Sequence, residues 1–280
     1  MFESYKCRIL ASPMTKSLSY SYRKLRVHYQ KVGQGKPLII LHGWGVSGEV
    51  MMPLARKLAD IRTCYVLDLP GFGETVEPPA AWNVDDYADM IESFIQDNFE
   101  ESVDLLVHSF GGRIALKLCA RPAAKKLVDK VLITGGAGMK PRRSAAYYLK
   151  KYTAKTLKFP FMILPAGMRE KALQRLRSTS LWKILGSSDY SKLSGVMRVT
   201  FVKSVTEYLE VCLPKIPHEV LLVWGIRDDA TPLYQGKRME KGISNAALVE
   251  MVKAGHYAFL DRPKHFVRIA KVFFENEEEK

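Results

Sequence analysis

Residues 105–112 read LLVHSFGG. Val103 to Val107, apolar apart from Asp104, reads as a strand, and Gly111 opens a stretch to Ala120 with helical apolar spacing. Ser109 therefore falls on the turn between a strand and a helix. A sharp turn of this kind holds serine in a strained backbone conformation and lifts its hydroxyl above the sheet edge. The pattern for such a nucleophile elbow is Gly-x-Ser-x-Gly, and Val107 stands where the first glycine belongs. Small residues are wanted on both sides, because helix and strand backbones approach closely. Gly111 and Gly112 supply that space on one side, and Val107 does not supply it on the other.

Outward from this stretch, strands alternate with helices. LRVHYQKVG (25–33) alternates apolar and polar residues, as an exposed edge strand would. GKPLIILHG ends an apolar run on glycine, the mark of a buried parallel strand. Helical spacing over 49–59 precedes a strand at CYVLDL (64–69), and 83–99 is again helical. Strands follow at 130–134, 220–224 and 247–252, and helices at 233–241 and 263–274. This rhythm predicts βαβ units and a mostly parallel sheet. It breaks once, between Gly138 and about Leu209, where only helical patterns occur. The organisation expected is an extension over 1–17, a core over 18–137 and 208–275, a helical insertion over 138–207 and an acidic tail, ENEEEK, whose last residues are 276–280.

Length and composition set outer limits. The 280 residues suffice for one large α/β domain, and no apolar run approaches the length of a membrane span. The N-terminus has no apolar stretch that would serve as a signal peptide, and Met14 is a second candidate start. Cys7, Cys64, Cys119 and Cys212 are scattered without a CxxC pair, which suits a reducing compartment and argues against structural zinc. A cytoplasmic location and no metal site are expected. The charge is uneven: fifteen Lys or Arg between Gly138 and Lys203 face only Glu170 and Asp189, so this segment carries +13 of the net +14.

One motif competes with the elbow. Gly43, Gly45 and Gly48 satisfy Gly-x-Gly-x-x-Gly after a strand, with Asp68 ending the next strand, as in dinucleotide-binding proteins. That fingerprint usually opens its domain, whereas this strand is about the third. It also makes no use of anything downstream. No P-loop and no HExxH motif occur.

A serine nucleophile needs a base, and the base needs a carboxylate to fix its tautomer. In the fold that carries such elbows the chain order is Ser, acid, His, which removes His28, His42 and His108. His218 starts a strand and His265 lies on the polar side of the last helix. His256, in AGHYAFLDRP, sits just beyond the last strand and is the expected base. The acid should follow the preceding strand, where WGIRDD offers Asp228 and Asp229; spacing from WG favours Asp228. Asp229 reads as a solvated neighbour or a helix cap. The alternative location after residues 130–134, GGAGMK, has no carboxylate.

With HGWG (42–45), DLPGFG (68–73), HSFGG (108–112), WGIRD (224–228) and AGHYAFLDRP (254–263) in order, the chain resembles the α/β-hydrolase superfamily, in its branch with a serine nucleophile and a helical cap. The resemblance implies an α/β-hydrolase fold: a mostly parallel eight-stranded sheet flanked by helices, with the cap inserted after the sixth strand. It implies oxyanion-hole amides at Trp44 and Phe110 and assigns Gly43, Val107, His108 and Gly111 to the elbow and the facing turn. The glycines of the competing motif then allow backbone approach to a substrate. Asp68 is implied to be structural, and no cofactor is implied.

The expected activity is a serine hydrolase of carboxylic esters, with a small-molecule ester as partner. The alternatives are a binding protein on the same fold, which Val107 keeps open, and a carbon–carbon hydrolase. The cationic, aromatic-rich insertion admits three readings: a solvated helical face, attraction of an anionic substrate or an anionic membrane surface, or nucleic-acid binding. Nucleic acid is not expected, because no recognised binding module is present.

Overall fold

A computed structural model describes residues 15–142 and 195–275, with scattered positions between them. Eight strands form one sheet: β1 (Lys16–Tyr22), β2 (Leu25–Gly33), β3 (Pro37–Leu41), β4 (Thr63–Leu67), β5 (Val103–His108), β6 (Val128–Thr134), β7 (Glu219–Gly225) and β8 (Ala246–Met251). Their spatial order is β1-β2-β4-β3-β5-β6-β7-β8. The β1–β2 and β2–β4 pairs are antiparallel, and every later pair is parallel.

The central parallel strands are largely apolar because both faces are covered. Side chains alternate across the sheet. Ile39, Leu41, Leu105, Val107 and Ile133 enter one buried cluster, under the helices Val84–Asn98 and Phe110–Cys119. Leu38, Ile40, Leu106, Leu132 and Val223 enter the other, under Met52–Leu58 and Pro263–Glu275. The first of these helices opens with a capping box, in which Asn83 accepts from the Asp86 N–H and Asp86 accepts from the Asn83 N–H. These pairings satisfy donors that the first helical turn leaves free.

Two expectations need correction at the antiparallel end. The sheet begins at Lys16, inside the stretch expected to be an extension. Strand β2 is not an edge, because KSLSYSY (16–22) pairs along its outer side and β4 along its inner side. Strand β1 escapes a search for apolar alternation because it is largely exposed, with Tyr22 alone buried.

The helical insertion expected over 138–207 lies mostly outside the described residues. Its C-terminal helix, Gly195–Thr206, is described, and it buries Met197, Thr200 and Ser204. No helix among the described residues is long and apolar enough to cross a membrane.

Candidate active site

Four loops at the C-terminal ends of parallel strands converge on Ser109, as open α/β sheets generally arrange their ligand sites. Strand β5 delivers Ser109 at φ 50° and ψ −103°, outside the helical region that Phe110 then enters. A positive φ is unusual for a residue with a side chain, and here the surrounding bonds impose it. The Ser109 N–H donates to the Thr134 carbonyl at 3.2 Å, and its carbonyl accepts from the N–H groups of Gly112 and Ala137, each at 3.0 Å.

Glycine is needed where backbones meet. A Cβ on Gly111 would lie 2.8 Å from both the Cβ and the carbonyl oxygen of Leu41, and one on Gly43 would lie 3.2 Å from the Ser109 Cβ. Val107 causes no such conflict. It is fully buried, in register with Leu41 and Ile133 on the flanking strands, and points into the core beneath the Phe110–Cys119 helix. The crowding of this elbow falls on Gly43, Gly111 and Gly112, and the valine fills core space instead.

The sequence-predicted residues meet. His256 Nε2 lies 3.0 Å from Ser109 Oγ, and His256 Nδ1 lies 2.8 Å from Asp228 Oδ2. Asp228 is buried and Asp229 exposed, which separates the two candidates. Asp228 Oδ1 accepts from the N–H groups of Ala230 (2.9 Å) and Thr231 (2.7 Å), which hold it as an acceptor toward His256. The N–H groups of Phe110 and Trp44 donate to no acceptor among the described residues. His108 is buried beside the His256 ring at a centroid distance of 4.6 Å, and burial lowers its pKa to about 3. It stays neutral and serves as packing. Asp68 accepts from the N–H groups of Gly48 (2.7 Å) and Glu74 (3.0 Å) and pairs with His28, a structural knot as implied.

A cavity of about 280 Å³ opens over Ser109, lined by Trp44, Phe110, Arg113, Met139, Phe201 and others. The Trp44 ring packs against Phe72, Phe110 and Phe201 at 4.9–5.1 Å, so the described end of the insertion contributes an aromatic wall. Among the described residues no group of His, Cys, Asp and Glu side chains could hold a metal ion.

A model of the alpha/beta hydrolase fold family matches residues 36–263. The chain belongs to the α/β-hydrolase fold family. Among its relatives is the pimeloyl-[acyl-carrier protein] methyl ester esterase of Shewanella woodyi, 25% identical over 256 residues, covering 86% of this chain and 94% of that protein. The esterase of Exiguobacterium antarcticum superposes with a TM-score of 0.68 at 21% identity, over 90% of this chain and 96% of that one. The bromoperoxidase of Bacillus anthracis gives 0.71 at 18% identity, over 93% and 100%. The two structural likenesses, both under 25% identical, carry the α/β-hydrolase fold alone.

Several site residues escaped the sequence reading. Thr231 Oγ1 is 2.9 Å from both Asp228 Oδ2 and the Gly135 carbonyl, and 3.3 Å from His256 Nδ1. Its signal was a hydroxyl three residues after the acid. Gly135, in the GGAG that offered no carboxylate, has φ 53°, and a Cβ there would sit 3.1 Å from His256 Nδ1 and 3.2 Å from Asp228 Oδ2. That loop contributes space. Arg113 and Phe201 were also missed, because their place in the cavity depends on packing between distant segments.

Proposed function

We propose that this α/β-hydrolase cleaves carboxylic esters of small molecules through an acyl-enzyme. The observation that carries the reading is the unbroken hydrogen-bonded line from Ser109 through His256 to Asp228, with Ser109 held at positive φ. The name of its relative, a methyl ester esterase, supports the same reaction class.

In this reading Ser109 Oγ attacks the ester carbonyl as His256 Nε2 takes its proton. Asp228 accepts from His256 Nδ1–H, fixing the tautomer and stabilising the imidazolium that forms. The tetrahedral oxyanion is met by the N–H groups of Phe110 and Trp44, and losing one such donor costs about 3 kcal/mol or more of transition-state stabilisation. The alkoxide leaves with the proton from His256. Water then attacks the acyl-enzyme with His256 as base, releasing the acid and restoring Ser109.

The buried Val107 and the intact elbow favour this reading over a binding protein on the same fold. A fluorescent fluorophosphonate tests it. Rapid labelling that disappears in Ser109→Ala is expected, together with turnover of short-chain aryl esters. A folded protein that neither labels nor hydrolyses any of them would overturn the reading.

The cytoplasmic location stays part of this proposal. So does attraction of the cationic 138–203 segment to anionic membranes, which predicts binding to phosphatidylserine vesicles at low salt that fades as salt rises. Absence of binding at low salt would remove it.

A further inference from the structure

Arg113 stands four residues beyond Ser109 on the helix Phe110–Cys119, and so one turn along the same face. It is 7% exposed and lines the cavity over Ser109. It is the only charged residue among the described residues of that lining, which is otherwise apolar or neutral. Burial pulls its pKa down to about 10, opposed by the fields of Glu207, Tyr208 and Glu210, so it stays cationic at neutral pH.

The guanidinium is under-used. Arg113 Nη1–H donates to the Glu207 carbonyl at 2.7 Å, just past the end of the helix Gly195–Thr206. No carboxylate among the described residues lies within ion-pair distance, and the remaining N–H groups have no acceptor there. A guanidinium has five N–H donors, and a buried cation is ordinarily paired. Lys117, one turn further on, contrasts with it: Lys117 pairs with Asp85 and Glu207 carboxylates. The cation nearest the serine along this helix is the one whose pairing is incomplete among the described residues.

We infer that Arg113 binds a carboxylate of the substrate, so that the preferred ester carries a second, free acid group. A planar fork matches a carboxylate with two parallel hydrogen bonds, and one cation in a neutral lining suits one negative charge better than a phosphate dianion. This inference rests on the serine-esterase reading and assigns its specificity.

The test compares matched ester pairs that differ only in a terminal carboxylate or the neutral carboxamide, placed in one series on the acyl side and in another on the alcohol side. Wild type should favour the acid about tenfold to a hundredfold in kcat/KM in one series, chiefly through KM. Arg113→Met should bring that ratio near one, and Arg113→Lys should keep part of it. A purely structural Arg113, tying the two helices together, would lower both members of a pair and leave the ratio intact; that result would overturn the inference. So would a wild-type ratio near one in both series from a protein that labels at Ser109. Failure to label would instead overturn the esterase reading beneath it. Should Arg113→Met not fold, inhibition of wild type by glutarate against neutral glutaramide decides, and equal inhibition overturns the inference.

Discussion

Ser17, His28 and Asp68 form one hydrogen-bonded line at the antiparallel end of the sheet, and Ser109, His256 and Asp228 form another at the ends of the parallel strands. Their distances match closely: 2.9 and 2.7 Å in the first, 3.0 and 2.8 Å in the second. The imidazoles are similarly covered, with side chains 11% and 17% exposed, and both carboxylates accept from two backbone N–H groups. Ser17 even borders the larger cavity, about 600 Å³ against 280 Å³.

The difference lies in the backbone of the serine. Ser17 sits in a strand ladder opposite Gln30, in extended conformation, with no helix opening after it. Ser109 sits at φ 50° before a helix, and neither the Phe110 amide nor the Trp44 amide has an acceptor among the described residues. A serine, a histidine and an aspartate in line therefore do not make a catalytic device. On the proposed reading the strained turn and the two amides make the difference, because they would stabilise charge that exists only in the transition state.

The sharpest test of this contrast exchanges each serine for alanine. Ser109→Ala should lower kcat for ester hydrolysis by about 10⁵-fold or more, and Ser17→Ala should leave it within about twofold. Comparable losses in both would break the comparison. The carboxylates come next. Asp228→Asn should cost about 10⁴ in kcat, by stabilising the wrong histidine tautomer. Asp68→Ala should instead cost about 2–4 kcal/mol in denaturant unfolding, by orphaning the buried Gly48 donor and the His28 partner.

Val107→Gly sharpens the role of the elbow. It should destabilise the fold by roughly 2–4 kcal/mol through a core cavity and a flexible strand residue, without raising kcat/KM more than about threefold. A large gain in activity would show that valine distorts the turn after all.

The smallest effect concerns a buried histidine beside each alignment. His42 accepts from the Leu69 N–H, next to Asp68, and His108 packs on His256. Burial lowers their pKa values to about 4 and about 3. Unfolded histidine titrates near 6.5, so below that pH the unfolded chain binds more protons than the fold. The stability these neutral rings contribute above about pH 6.5 should be lost as pH falls toward 4. The slope should approach about 1.4 kcal/mol per pH unit for each histidine. Urea titrations at pH 7, 6 and 5 measure it, and replacing His108 by leucine should remove one share.

Much of this was legible from residue patterns. The apolar run Leu38–Leu41 and the mostly apolar Val103–Val107 announced buried strands, because a strand covered on both faces shows no regular polar alternation. The order of Ser109, Asp228 and His256 sorted three acid–base candidates from their rivals. Strand β1 was not legible, because a mostly exposed strand of serines and tyrosines has no core-facing rhythm. Gly135 was not legible either, since its importance is the absence of a side chain where two others meet.

The sequence by itself determined the alternation of strands and helices, the interruption by a basic segment, and which serine, aspartate and histidine stand after strand ends. Local periodicity and turn chemistry suffice for these. Only the tertiary structure decided that Ser109 and His256, 147 positions apart, share a hydrogen bond. It also decided that Val107 fits the core beside the elbow, and that Arg113 lines the cavity over Ser109. Those outcomes depend on how crossovers place distant strand ends side by side, and no neighbouring residue carries that information.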